Sequence, residues 1–367
     1  MLNEPAIRAY LQQHFRDVDR IDIRKLGSGV QGSGFLIELH ASEGKKSYVI
    51  KTLLSEGLGH DYPSDRAGVF LLDLDEFKNL PRHVRATDVL SEMEDGSIKS
   101  IGGGKEYYLL MEKTEGRDYF NDLREFSGRN SLTSRDREKI RTLALYLSQI
   151  HARKRDSKTL YWRKLRDTVG HGECLMGVFD TYPDGTLQYE EMAEIVKQSV
   201  DWITRLKPGY KRLSQIHGDF HPGNIWFKEA VDTAQQVNGK AQDAQGGQEA
   251  GDFVLLDRSR GPWGEPADDV TALAVNYVFF SIRYHGIVRG AFQEGFEMFF
   301  DEYIKASGDE EITEVAAPFF AFRGAVVANP VFYPDVTSDQ RNLIFRFIHN
   351  VLDDASFNPS RVNDYLK

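Results

Sequence analysis

Four short stretches of this sequence carry residues whose types and spacing suit phosphate chemistry. The densest is HGDFHPGNIWF, residues 217–227, in which Asn224 follows Asp219 by five positions. A carboxylate there can orient an attacking hydroxyl and an amide oxygen can ligate Mg2+, so one loop can serve both nucleophile and metal. His217 and His221 lie four apart, but Pro222 and Gly223 stand beside them and no second pair of ligands is evident, so this is not a helical zinc motif. The second stretch ends the apolar run FVLL, 253–256, in Asp257, a carboxylate at a sheet edge where a phosphate-bridging metal would sit.

The third is YVIK, ending in Lys51. A strand lysine neutralises α- and β-phosphate charge and needs a carboxylate partner; Asp65 and Glu76 are the candidates, with Asp65 favoured on spacing. The fourth is GSGVQGSGF, residues 27–35, where Gly27, Ser28, Gly29 and Gly32 form a turn whose backbone N–H groups can approach phosphate oxygens. A dinucleotide-binding turn would run directly into a helix, whereas the strand-like FLIELHA follows here. Taken singly, each stretch is explicable as a hairpin, an exposed lysine, a turn or a capped strand end. Their order along the chain is what points to phosphoryl transfer.

The elements that must position these residues are legible from periodicity. Residues 18–53 predict three antiparallel strands with a Ser42-Glu43-Gly44 turn, and residues 62–79 predict a helix with Pro63 in its first turn. Further strands are expected around 83–90 and at 106–112, EYYLLME. From Thr133 the chain turns helical, since Thr133 and Asp136 resemble a capping box and Ile140, Leu143, Ala144, Leu147 and Ile150 recur at helical spacing. Helices are expected near 190–206, 267–283, 288–306 and 338–353. IWF, 225–227, and FVLL read as two strands joined by a polar, flexible insertion at about 230–252. The expectation is an α+β chain: residues 1–112 carry an N-terminal helix, an antiparallel sheet and one helix for nucleotide binding, and residues 113–367 form a larger, mainly helical part with the catalytic loop, metal site and acceptor pocket.

Composition bounds the alternatives. The 367 residues are 41% hydrophobic and 28% charged, an ordinary globular balance, and the formal net charge is −10. That charge argues against broad nucleic-acid binding, which needs clustered Lys and Arg. The longest apolar stretch, 270–282, is interrupted by Thr271 and Asn276 and falls short of the roughly 20 residues that span a bilayer, so no membrane role is expected. No signal-peptide pattern opens the chain. Cys174 is the single cysteine, so no internal disulfide forms and a reducing, cytoplasmic setting is expected.

These motifs together resemble the aminoglycoside phosphotransferase and choline kinase-like family. HGDFHPGN matches its His-Gly-Asp-x-x-x-x-Asn hallmark, and GEPADDV is similar to its Gly-Asp-Pro-x-x-Asp-Leu, with Glu265 and Val270 at two altered positions. The resemblance runs from about residue 21 to 282. It implies a two-lobed protein-kinase-like fold and ATP-dependent transfer of the γ-phosphate to a hydroxyl of a small molecule that is aminoglycoside-, amino alcohol- or sugar-like. On the same basis Asp219 is the catalytic base or orienter, and Asn224 and Asp257 are Mg2+ ligands. Lys51 holds the α- and β-phosphates, Asp269 braces the catalytic loop, and His217 is structural. MEKTEG, 111–116, is the hinge, with Glu112 and Thr114 beside adenine.

Three features depart from the family pattern: Arg258 after Asp257, where an arginine could pair with an anionic substrate group; the 33-position gap (257 − 224) between the metal candidates; and the helix acid opposite Lys51. Two other readings stand beside this one, a protein Ser/Thr kinase of the same superfamily and a non-catalytic nucleotide-binding scaffold. The short stretch after Asp257, with no APE-like segment, favours a small acceptor. Asp301, Glu302, Asp309, Glu310, Glu311 and Glu314 would suit a cationic acceptor but read first as a solvated face. The many aromatics from Tyr277 to Tyr333 read as core. Oligomeric state stays open.

Overall fold

The computed structural model describes residues 2–15, 17–28, 32–42, 44–55, 58–79, 82–109, 111–228, 252–258 and 260–367. Gly29 and nearly all of the 230–252 insertion lie outside them. The chain divides into two compact units, Met1–Glu112 and Lys113–Lys367.

The first unit contains α1 (Glu4–His14), then β1 (Val18–Ser28), β2 (Gly32–Ala41) and β3 (Gly44–Leu53), an antiparallel sheet in the order β1-β2-β3. Alternation decides its inner face: Ile21 pairs with Leu39 and Ile23 with Ile37. Ile21, Ile37 and Leu39 are buried together with Ile7 and Leu11 of α1, which closes this small core. α2 (Pro63–Glu76) begins with proline at a position that needs no intrahelical N–H, and Asp65 accepts the Tyr62 N–H at 2.7 Å. β4 (Leu90–Glu92) and β5 (Ile98–Ser100) form a short antiparallel hairpin.

Two strand expectations are corrected here. Of the stretch around 83–90 only Leu90 enters a strand, and the described residues of 106–112 form none. An apolar run becomes a strand only when a neighbour takes its N–H and C=O groups, and Tyr108 and Leu109 stand 89% and 84% exposed.

The second unit opens with β6 (Arg117–Asp118), α3 (Tyr119–Phe126) and α4 (Ser134–His151), followed by α5 (Lys158–Gly170), α6 (Leu175–Phe179) and α7 (Tyr189–Leu206). Both bonds of the Thr133–Asp136 capping box at α4 are present. Next come β7 (Ser214–Gln215), a 3-10 turn (Pro222–Asn224), β8 (Ile225–Phe227), β9 (Phe253–Leu255), β10 (Trp263–Gly264) and α8 (Pro266–His285). The strands make two small antiparallel sheets, β6-β8-β9 and β10-β7. The chain ends in α9 (Gly290–Ser307), α10 (Ile312–Val315), α11 (Ala317–Ala328), α12 (Ser338–Asp353) and a 3-10 segment.

α8 is buried along all of 266–282 and packs against α4, α9, α11 and α12, so the longest apolar stretch is a core helix. Among the described residues no helix is long and apolar enough to cross a membrane. The fold is α+β: a small antiparallel sheet in the first unit and a mainly helical second unit.

Candidate active site

The catalytic-loop candidate lies between β7 and β8, and a buried carboxylate fixes its start. Asp269, in the first turn of α8 and 0% exposed, accepts the backbone N–H of His217 and that of Gly218, each at 2.7 Å. Gly218 has φ +88, a left-handed conformation that glycine adopts without strain, which explains the glycine between His217 and Asp219. Burial opposes ionisation of Asp269, but hydrogen bonding and charge from His151 and His217 outweigh it, and the carboxyl lies below its ordinary value. His151 Nε2 lies 3.2 Å from Asp269 and its Nδ1 2.9 Å from the Tyr303 hydroxyl. The ionised Asp269 accepts from His151 Nε2–H.

Asp219 projects from this braced loop into a cluster of cations. Its Oδ1 accepts from Arg323 Nη1 at 2.7 Å and from Arg260 Nη2 at 3.1 Å. Asn224 Nδ2 reaches the Asp219 carbonyl at 3.0 Å and Oδ2 at 3.4 Å, and His221 Nε2 lies 3.7 Å from Oδ2. Burial pushes the Asp219 carboxyl up, and the guanidinium groups of Arg323 and Arg260 more than reverse this, holding it at about 2. Such a group is a weak proton acceptor and a well-placed hydrogen-bond acceptor. Burial pushes His221 below the usual imidazole range despite the neighbouring carboxylate.

The metal candidates are joined by strand pairing. Ile225 sits opposite Leu255, and Leu256 N–H donates to the Asn224 carbonyl at 2.9 Å, so Asp257 follows one residue beyond a direct bond to Asn224. The long sequence gap between them is thus closed by the β8–β9 ladder. Asp257 is exposed and has φ +52, an uncommon conformation for a residue with a side chain. Within the described residues neither Asn224 Oδ1 nor the Asp257 carboxylate accepts a hydrogen bond. Two hard oxygen donors of this kind fit Mg2+.

The first unit holds the phosphate-binding candidates. Gly27 and Ser28 end β1, opposite Gly34 and Ser33, and the Ser28 and Ser33 hydroxyls are 2.9 Å apart. At Gly32 a Cβ would lie 1.8 Å from the Thr52 carbonyl oxygen, so the β2–β3 pairing itself requires glycine there. Lys51 is exposed on β3, Asp65 caps α2, and Glu76 accepts from Asn79 Nδ2 at 3.1 Å. Glu112 closes the first unit and Thr114 lies near the start of the second.

Arg258 has a partner within the chain. Its guanidinium donates to the Ile216 carbonyl at 2.7 and 3.2 Å, so it ties the Asp257 segment to the residue preceding His217. Sequence reasoning missed Arg260, Arg323 and His151. Arg323 is the one charged residue in α11, APFFAFRGAVVA, and a lone charge in an otherwise apolar helix was the available signal. It is 4% exposed and also reaches the Gly218 carbonyl at 3.0 Å and Asp268 at 2.5 Å.

No curated protein matches the sequence significantly. Among solved structures, an ethanolamine kinase of Plasmodium vivax aligns with 9% identity over 100% of this chain and 82% of its own, at a TM-score of 0.34. A choline kinase from Cryptosporidium parvum aligns with 10% identity over 99% and 92%, at 0.31. A glucosamine kinase in complex with glucosamine, ADP and inorganic phosphate aligns with 10% identity over 98% and 94%, at 0.29. The phosphotransferase enzyme family model matches residues 32–238, more than half of the chain. With that match spanning the β2–β3 pair, Asp219 and Asn224, the chain belongs to the phosphotransferase enzyme family.

Proposed function

We propose that this phosphotransferase moves the γ-phosphoryl group of ATP to a hydroxyl of a small molecule, with Asp219 orienting that hydroxyl. The observation that carries the reading is the position of Asp219: an ionised carboxylate on a braced loop, bonded by Asn224, whose backbone is bonded in turn to the residue before Asp257. Phosphoryl transfer asks a protein mainly for positioning and charge neutralisation, and these residues supply both.

Asn224 and Asp257 would hold Mg2+, which when bound neutralises charge on the phosphates. Lys51, with the turn of Gly27, Ser28, Gly29 and Gly32, takes the phosphates, and Asp65 or Glu76 is the carboxylate that steadies Lys51. Glu112 and Thr114 are the residues whose backbone would meet adenine. Asp219 acts through orientation, because a carboxyl held near 2 takes a proton poorly at neutral pH. The eight residues between Asp257 and the start of α8 leave little room to dock a protein chain, which supports a small acceptor. The buried thiol of Cys174 suits a cytoplasmic enzyme.

The test is Mg-dependent ADP release with a panel of small alcohols. The expected result is acceptor-stimulated turnover that falls by about 10²- to 10⁴-fold in Asp219→Asn. Unchanged turnover in that variant, or transfer to proteins but to no small alcohol, would sink the reading.

A further inference from the structure

The two carboxylate oxygens of Asp219 are unequally occupied. Oδ1 accepts from Arg323 Nη1 at 2.7 Å and from Arg260 Nη2 at 3.1 Å. Oδ2 has Asn224 Nδ2 at 3.4 Å and His221 Nε2 at 3.7 Å, both longer than an ordinary hydrogen bond. An incoming hydroxyl therefore finds its room at Oδ2.

An arginine that meets a carboxylate readily covers both oxygens with a two-pronged fork. Arg323 does not, because its second terminal nitrogen is held elsewhere: Nη2 donates to Asp268 at 2.5 Å and to the Gly218 carbonyl at 3.0 Å. Arg260 is divided in the same way, with Nη1 on the Gly218 carbonyl at 3.2 Å and Nη2 on Oδ1. The other charged groups around this cluster are engaged separately. Asp269 holds the loop N–H groups and His151, Arg258 donates to the Ile216 and Pro262 carbonyls, Lys164 donates to the Arg260 carbonyl at 2.7 Å, and Asp257 is exposed. Among the described residues Asp268 is thus the one acid besides Asp219 that bonds Arg323 or Arg260. Arg323 is 4% exposed and its guanidinium lies over the Phe322 ring at 4.6 Å. A guanidinium cannot shed its proton, so a buried one that lost Asp268 would turn to the next acceptor in reach, Oδ2 of the carboxylate it already touches.

We propose that Asp268 is a positioning residue: by holding Arg323 Nη2 it keeps Asp219 Oδ2 open, and Oδ2 is the atom that accepts the hydrogen bond of the substrate hydroxyl. This rests on the phosphotransferase reading above. Asp268 and Asp269, neighbours in the first turn of α8, then divide one task. Asp269 fixes the backbone of the loop, and Asp268 fixes which Asp219 oxygen is free.

The full chain is assayed at neutral pH with Mg–ATP and glycerol, glucose or 3-amino-1-propanol, following ADP release. With the alcohol that supports turnover, Asp268→Asn is expected to lower kcat/KM for that alcohol about tenfold and Asp268→Ala to lower it further, with KM for ATP near wild type. If Asp268→Ala does not fold, the isosteric Asp268→Asn decides. The double variant Asp268→Asn/Arg323→Gln separates positioning from support of the fold. Without Arg323 no fork can close on Oδ2, so the double variant should match Arg323→Gln alone within about twofold. Wild-type kcat/KM in folded Asp268→Asn, a loss that persists in full in the Arg323→Gln background, or a rise in KM for ATP in place of the loss toward the alcohol overturns the inference. Turnover that depends on Asp219 but not on Asp268 rejects this inference alone; no alcohol-stimulated turnover with any of the three rejects the underlying reading with it.

Discussion

The two units hold their charged candidates in opposite ways. In the second unit Asp219 is bonded to Arg260 and Arg323, and Asp269 to the backbone of the same loop, with Asp269 and Arg323 almost wholly buried. In the first, Lys51 is exposed on β3, the sheet shares a small core with α1, and α2 leaves Val69 37% and Leu72 63% exposed. Buried, mutually bonded charges fix a geometry before any ligand arrives, whereas an exposed lysine acquires its geometry with the phosphate it binds. The loop that carries Asp219 is thus prearranged, whereas the proposed phosphate site around Lys51 would take its final geometry from its ligand.

Breaking the prearranged side has the largest expected effect. Asp269→Ala leaves two buried N–H groups without an acceptor, each costing about 1–3 kcal/mol, and frees the loop that carries Asp219. The expected outcome is a large drop in denaturation midpoint with loss of transfer; Asp269→Asn, which keeps one acceptor, should retain more stability than activity. A stability loss below about 1 kcal/mol in Asp269→Ala would show that the loop is held by something else.

The same comparison predicts a cleaner separation in the first unit. Lys51→Ala removes an exposed side chain, so stability should change by less than about 0.5 kcal/mol while KM for ATP rises tenfold or more. A KM change confined to the acceptor would remove Lys51 from the phosphate site.

The difference between the units also explains what the sequence reveals. The three-stranded meander, the capping box at Thr133 and the apolar helix containing 270–282 follow from local periodicity and capping, and they stand as read. Asp219, Asn224 and Asp257 could be picked out because one loop and one strand end fix their spacing. The bonds that hold Asp219 were beyond the same reading. Arg323 lies 104 residues away, on a helix apolar on all faces that offers no periodic signal. His151 reaches Asp269 across 118 residues. Residues 106–112 failed in the other direction, since a strand-like composition cannot say whether a partner strand exists.

The central claim is that Asp219 works as a held, ionised carboxylate, and the pH dependence of transfer tests it most directly. Its pKa is depressed, so the stability it contributes is complete above the ordinary value of 3.8 and disappears as pH falls toward about 2. Wild-type kcat should therefore show no acid limb from Asp219 above about pH 4. Arg323→Gln removes the strongest charge that opposes burial, leaving Arg260 and His221 beside the carboxylate. The account predicts that an acid limb then appears between about pH 4 and 6, with transfer retained above it. Superimposable normalised profiles for the two proteins would contradict it.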